Sequence, residues 1–481
     1  MSTEYEKIVT SLKRRKKGAT AADICAVTAL PLSAVNELLP KAADEYSGHL
    51  RVTESGEILY YFPNGFTSRY RGLGVALKKA AKNIFSGFKT ACAFLFKIWI
   101  VVMLVGYFLF FIALALASVF LSVAGKSGGK GGRRGGGSIN LSLFNLIWRI
   151  WFYSEMTGPK SVYSRGNFNK NKDTRPLHKA VFSFVFGEDD PNKNWESQEY
   201  KAIISYIQAN RGVISLAEYM AFTGSNSQEA ETDILSFCSK FEGSPEATEE
   251  GTIVYRFDKL LLNSDTEKIS GLIPPVESLK KFSDNKKSTN GWFAVINGVN
   301  LIFSSYFLYH SINTGQLLSE IQYKSASSLY SYTHYFLSYI ASEPQNIIGM
   351  ALGFIPLIFS ILFWIIPIVR FFTEKKENNK IKLKNFKRFS FSKIFSSPNN
   401  IETNAFNPAV LECRPDNLDS AADRVIKDMG AISNPQIEIK DNKTIYTFNE
   451  LEREKEALKK YRLSIDTSRQ KLGETVFDSN D

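Results

Sequence analysis

Three stretches of the chain are almost wholly apolar, and the sequence between them alternates at helical or strand period. The first stretch covers residues 91–124 and is broken only by Lys97; the second covers 292–309 and the third 347–372. A helix that crosses a bilayer needs about 20 apolar residues, so the second is near the minimum and the third is ample. Pro356 and Pro367 predict kinks in the third, which bilayer helices tolerate. The pattern predicts a membrane protein, mainly α, with small α+β modules that look like winged helices and with two to four membrane segments.

Lysine and arginine placement sets the expected topology. Residues 310–346 hold one Lys and no Arg, while Lys280, Lys281, Lys286 and Lys287 precede the second stretch and Lys375, Lys376, Lys380, Lys382, Lys384, Lys387 and Arg388 follow the third. Both outer flanks are expected in the cytoplasm, with 310–346 as an external loop. The first stretch is basic on both sides, with Lys78, Lys79, Lys82 and Lys89 before it and Lys126, Lys130, Arg133 and Arg134 after. It is too short for two full spans. A hairpin bent near Gly106 would keep both flanks inside; a single span would need a return segment, for which 139–153 is the candidate. Cytoplasmic soluble parts throughout are the favoured expectation.

The polar regions repeat a unit. Residues 56–62 (GEILYYF) recur as 251–257 (GTIVYRF), with a weaker echo at 443–448. Each is a short strand behind a helix with an apolar stripe. In the first copy, helices are expected over 4–16, 21–27 (capped by Thr20) and from Ser33, then two strands. The second copy repeats this order over 198–257. The third has a helix at 418–429, strands at 436–439 and 444–448, and a charged helix to about Leu463.

Residues therefore divide into a first winged-helix-like module at 1–66, a basic linker at 67–90 and the first membrane segment, span or re-entrant hairpin, at 91–124. A Gly-rich basic linker at 125–138, an interfacial helix at 139–156 and an aromatic region at 157–197 lead to a second module at 198–262. A linker at 263–291 precedes the membrane helix 292–309, the external loop 310–346 and the membrane helix 347–372. A basic juxtamembrane linker at 373–400, a third, partial module at 401–465 and a tail at 466–481 complete the chain.

Charge decides how the modules are read. The 481 residues carry 59 Lys+Arg against 48 Asp+Glu, a net +11, but in a membrane protein that excess gathers at cytoplasmic flanks. The third helix of each module is net acidic: Glu37, Asp44 and Glu45; Glu229, Glu231, Asp233 and Glu242; Asp419, Asp423 and Asp428. Duplex DNA would be repelled by them, so protein contact or self-association is the expected use and nucleic acid is disfavoured. Lys126, Lys130, Arg133, Arg134, Lys375 and Lys376 are candidate lipid-headgroup contacts.

Little points to chemistry. Residues 125–137 (GKSGGKGGRRGGG) lack the order of a phosphate loop and read as a flexible basic linker. Cys25, Cys92, Cys238 and Cys413 are far apart, without Cys-x-x-Cys spacing, which argues against a disulfide framework, zinc or an iron–sulfur cluster and fits a reducing compartment. His49, His178, His310 and His334 lack metal-site or triad contexts; His310 and His334 are placed to face one another in the external segment. Lys97 and Arg370 sit near block edges, where they can snorkel. No secretory or transit segment is read at the start, so a bacterial cytoplasmic membrane is expected. No catalytic residue, metal site or cofactor is expected.

Residues 178–192 read HKAVFSFVFGEDDPN, and the candidate motif residues are Phe186, Gly187, Asp189, Asp190, Pro191 and Asn192. An acidic cation site around Glu188, Asp189, Asp190 and Asn192 is one reading; an Asp-Pro-Asn turn bonding nearby amides is the plainer one. The stretch, next to a winged-helix-like module, resembles an uncharacterised family of membrane proteins of cyanobacteria, other bacteria and plastids, over roughly residues 128–257. The resemblance implies no defined activity; the loose iron–sulfur label of some relatives finds no support in these cysteines. The expected function is a membrane-anchored scaffold presenting its modules to protein partners. The alternatives are a membrane-tethered DNA-binding regulator and an oligomeric transporter or channel component.

Overall fold

The computed structural model describes residues 3–15, 18–63, 65–66, 73–126, 175–262, 271–313, 329–402, 406–440, 443–466 and 473–479. The expected Gly-rich linker beyond Lys126, the interfacial helix at 139–156, the start of the aromatic region and residues 314–328 of the loop lie outside the described residues.

In chain order, α1 (Thr3–Arg14), α2 (Ala21–Thr28) and α3 (Leu32–Glu45) precede β1 (His49–Thr53) and β2 (Ile58–Tyr61). Next come α4 (Leu73–Val101), a π-helical turn at Val102–Gly106, α5 (Tyr107–Lys126) and α6 (Leu177–Phe186). α7 (Trp195–Ala209), β3 (Val213–Ser215), α8 (Leu216–Thr223), α9 (Ser227–Phe241), β4 (Ser244–Ala247), β5 (Ile253–Arg256) and α10 (Asp258–Leu261) follow. Then α11 (Lys287–Ile312), α12 (Leu329–Ser338), α13 (Pro344–Ile347), a second π segment at Ile348–Phe354 and α14 (Ile355–Ser396). The last are β6 (Ile401–Glu402), α15 (Leu418–Gly430), β7 (Gln436–Lys440), β8 (Lys443–Thr447), α16 (Asn449–Ser464) and β9 (Thr475–Asp478). The described residues are thus mainly helical, with three small sheets.

The chain forms two compact units. The first combines Met1–Lys79, Asp190–Lys280 and Lys376–Asp481; the second combines Ala80–Asp189 and Lys281–Lys375.

Within the first unit, the same local devices occur near both ends of the chain's first half. Thr20 and Asp23 form a capping box on α2, and Ser215 and Glu218 form one on α8, each satisfying two orphan amides. Thr28 closes α2 by accepting from Leu30 N–H, as Thr223 closes α8 by accepting from Ser225 N–H. Ala19 bridges Tyr60, as β3 pairs with β5. Gly224 ends α8 at φ 67°, and a Cβ there would meet Lys384 O at 2.6 Å, so the close approach of α14 needs glycine. One continuous core is fed from all three polar regions: Ile8, Val35 and Leu39; Ile203, Ile234 and Phe237; Phe391, Val425 and Leu451. A domain of about 60 residues buries too little surface to be more than marginally stable, so fusion of cores is the expected remedy.

Among the described residues, three helices are long and apolar enough to cross a membrane: Ile84–Val119, Lys287–Ile312 and Pro344–Ser396. Of the two shapes open for the first apolar stretch, span or hairpin bent near Gly106, the hairpin is not found, because α4, the π turn and α5 run on as one helix. A hairpin bend in hydrocarbon would strand backbone groups, whereas an extra-wide helical turn keeps most of them bonded. The kink expected at Pro356 is replaced by the π segment just before it, where Ile355 N–H reaches back to Met350 O. Gly353 lets α11 come close, since a Cβ there would lie 2.9 Å from Leu308 Cα.

Several readings of linkers also change. Residues from Leu73 are helical, as their Ala, Leu and Lys content favours. The basic stretch after residue 372 continues α14 to Ser396, because Phe386, Phe391, Ile394 and Phe395 recur at helical spacing and enter the first unit's core. Tail residues Thr475–Asp478 form a third strand on β1, giving the order β2-β1-β9. Part of the stretch expected as an external loop is α12, whose Tyr330 is fully buried against Phe111 and Phe307.

Candidate functional site

The second unit buries a polar seam among apolar helices. On α11, Phe293, Asn297, Asn300, Ser304 and Phe307 share one stripe by their spacing of three to four, and all five are buried. Asn300 donates from Nδ2 to Leu104 O at 2.7 Å, and Leu104 lies in the first π turn. Asn297 Nδ2 donates to Ser360 O at 2.9 Å. The Tyr107 hydroxyl donates to Ala351 O at 2.9 Å, inside the second π segment. In i→i+5 bonding the donor for Ala351 O would be Pro356, which has no N–H, so the tyrosine replaces it. Asn297 Oδ1, Asn300 Oδ1 and Ser360 Oγ are buried without a hydrogen-bond partner. These three oxygens can accept hydrogen bonds. None of the groups is an acid or base near neutral pH, so the seam by itself does no proton-transfer chemistry.

Residues 178–192 divide between the units. In the second, α6 carries Phe184 into the core, while Phe186 lies at its exposed end near Phe182 and Phe96. Gly187 follows at φ 88°, against the guanidinium of Arg370. Glu188 takes both arms of Arg175, the Ser183 hydroxyl and Asp284 N–H. These donors hold its carboxyl well below the usual range, at about 2, with the Arg175 bond foremost. Arg370, expected to snorkel, instead donates to Phe184 O at 3.1 Å and to Phe282 O, closing the C-terminal end of α6.

Asp189, the last residue of the second unit's segment, is exposed, and in the first unit Asp190 accepts from Asn192 N–H at 3.0 Å in a tight turn around Pro191 and pairs with Lys280 at 3.2 Å. Asn192 both donates to Ser278 O and accepts from Ser278 N–H. Asn378 does the same to Lys280 and Asn385 to Glu277. Three carboxamides thus grip the backbone of residues 277–280 as a neighbouring strand would, and the expected linker there is fastened. The sequence signal was three asparagines with no capping role, two of them on the helix that the basic run obscured.

Two buried ionic groups complete the first unit. Arg388, 1% exposed, donates to Glu199 at 2.8 Å, Phe222 O at 2.9 Å and Asn385 at 2.9 Å, with its guanidinium over Trp195. Arg462 on α16 pairs with the fully buried Glu218 at 2.7 Å, beside Tyr206. Glu454, on the same helix, is raised to about 7 by burial first and by Glu218 next, against a bond from Ser215. Sequence reasoning missed both groups, since each pair is joined only by the tertiary fold.

The remaining candidates stay apart. Tyr330 stands between His310 and His334, with ring centroids 5.8 and 6.0 Å away, so the histidines do not face one another. All four cysteines are free. Among the described residues, no group of three or more His, Cys, Asp or Glu is placed to hold a metal ion. Lys375 and Lys376 are exposed on α14; the Lys126 side chain and Lys130, Arg133 and Arg134 lie outside the described residues.

No protein-family profile matches the chain, and no solved structure matches it. It is 24% identical over 422 residues to an uncharacterised chloroplastic protein of Arabidopsis thaliana, covering 82% of this chain and 75% of that protein. The likeness is distant and brings no defined activity.

Proposed function

We propose that the protein is a membrane-anchored scaffold whose three winged-helix-like modules act as one body that binds protein partners. The observation that carries this is the shared core, which draws Ile8, Ile203 and Val425 into one cluster. Independent DNA readers would keep separate cores and basic third helices. Here Asp44 on α3, Glu229, Glu231 and Asp233 on α9, and Asp419 and Asp423 on α15 are exposed. Such faces suit a basic protein surface and repel phosphate.

The shared core also bears on topology. In this reading modules one and two share one side of the bilayer, because both feed the same core. The membrane itself is a bacterial cytoplasmic one in the sequence reading; the chloroplastic relative adds a plastid membrane as the second candidate. Four free thiols fit a reducing face in either.

A second reading, a transporter or channel component, is favoured by the unpartnered oxygens of Asn297, Asn300 and Ser360. The two readings separate on the detergent-solubilised full chain. The scaffold reading expects no shift of duplex DNA at low salt and, in membranes, zero-length carboxyl–amine cross-links from α9 to lysines of a partner protein. Tight, salt-sensitive DNA binding overturns it in favour of the tethered regulator; ion flux through proteoliposomes of the pure chain favours the transporter.

A further inference from the structure

A groove of about 440 Å³ runs along the second unit, walled by apolar side chains alone, among them Phe96, Trp99, Met103, Phe186, Ile358 and Leu362. That volume lies within the roughly 300–1,000 Å³ of ordinary ligand sites, but the walls are almost wholly apolar and do little to orient a polar ligand. Its deep side is firm: Ile100 and Phe363 are 3% and 2% exposed. Its outer side is open along helices that are apolar enough to lie in lipid. One rim carries a cation. Lys97 holds its ammonium 4.4 Å from the Phe182 ring, and Phe182 in turn packs 4.9 Å from Phe186 on the groove wall. Among the described residues, Lys97 has no carboxylate partner. Lys97 is only partly buried on an apolar helix, so its long side chain can reach an interfacial anion, and an aromatic face meets only part of its charge.

We infer that this groove holds one acyl chain of an anionic phospholipid, with the lipid phosphate on Lys97. The inference rests on the membrane reading above. An apolar helix of a protein partner would cover the groove equally well but would leave Lys97 without its counter-charge; an anionic lipid supplies both the flexible apolar chain and the phosphate. It also gives Phe186, the last residue of α6, a role as part of the wall, while the adjoining Glu188 is fully engaged with Arg175.

The test uses the full chain in vesicles of phosphatidylcholine containing a minority of phosphatidylglycerol, with brominated acyl chains on one lipid or the other. Bromine quenches tryptophan on contact, and the part due to Trp99 is the difference between the native chain and W99F. The groove predicts that brominated phosphatidylglycerol quenches Trp99 with about fivefold preference over brominated phosphatidylcholine, as one lysine near a lipid phosphate would give. K97Q abolishes the preference without changing flotation of the vesicles, and M103W, which fills the groove, lowers Trp99 quenching by both lipids. Equal quenching by the two lipids in the native chain, or a preference that survives K97Q, overturns the inference and leaves the membrane reading intact. A chain that fails to float with vesicles overturns both.

Discussion

In the first unit the buried polar groups include charges held in pairs, Arg388 with Glu199 and Arg462 with Glu218, beside neutral groups such as Thr20, Ser215 and Asn385. In the second they are amides and hydroxyls, with Asn297, Asn300 and Tyr107 donating to backbone carbonyls. In the membrane reading the difference follows from what surrounds each core: a body in water can bury a charge when a partner of opposite sign is buried with it and their attraction offsets the lost hydration. Helices sheathed in apolar side chains use neutral donors to meet backbone carbonyls, two of which, Leu104 O and Ala351 O, lie where the helix widens to π geometry. Glycine and proline play matching roles there: Gly353 sets the close approach of α11, and Pro356 creates the carbonyl that Tyr107 satisfies.

The comparison breaks first at Arg388. R388M leaves Glu199 buried without its partner and should cost about 3–5 kcal/mol, read as loss of the first unit's cooperative unfolding transition. The double variant R388M/E199L should regain much of that, and no regain would mean that packing against Trp195, not pairing, is the main contribution. A smaller effect is expected in the second unit. N300L removes a bond to Leu104 O and should cost about 0.6–2 kcal/mol in a lipid-like medium; N300D, which introduces a charge, should cost more. Equal effects of the two would contradict a charge-averse seam.

The smallest effect concerns pH. Glu454 sits at about 7 in the folded unit against 4.5 for the ordinary group. The folded state therefore keeps its proton where the unfolded state loses it. Stability is highest below pH 4.5 as far as this residue is concerned, falls between pH 4.5 and 7, and is flat above. Its partial exposure reduces the effect to about 1–2 kcal/mol. E454Q should flatten that slope and stabilise the unit at pH 8; an unchanged slope would assign the dependence to another group.

Sequence patterning made some of this legible and hid the rest for identifiable reasons. The three apolar blocks were clear because length alone separates a span from a core helix. The helix beyond residue 372 was hidden because eight or so lysines and arginines masked Phe386, Phe391 and Ile394, which lie on one stripe and reach the core. Asn297, Asn300 and Ser304 looked like interruptions of a weak span, although their spacing puts them on one face. β9 was unreadable, since a four-residue strand gains its identity only from β1, more than 400 residues earlier in the chain. The Asp190–Asn192 turn was anticipated from Asp-Pro-Asn itself, but its grip on Ser278 was not, because nothing in residues 277–280 marks them as a strand.

The central claim, one module body on one side of a membrane, is tested most directly by single cysteines in a chain whose native cysteines are replaced. N36C, E249C and E456C each place a thiol on an exposed position of a different module, and Y339C places one between the second and third apolar helices. Labelling of intact membranes with an impermeant maleimide should give the same answer for the first three positions and the opposite answer for Y339C. Modification of one module thiol from the side opposite to the other two would contradict the shared body, and equal labelling of all four from one side would contradict the crossing.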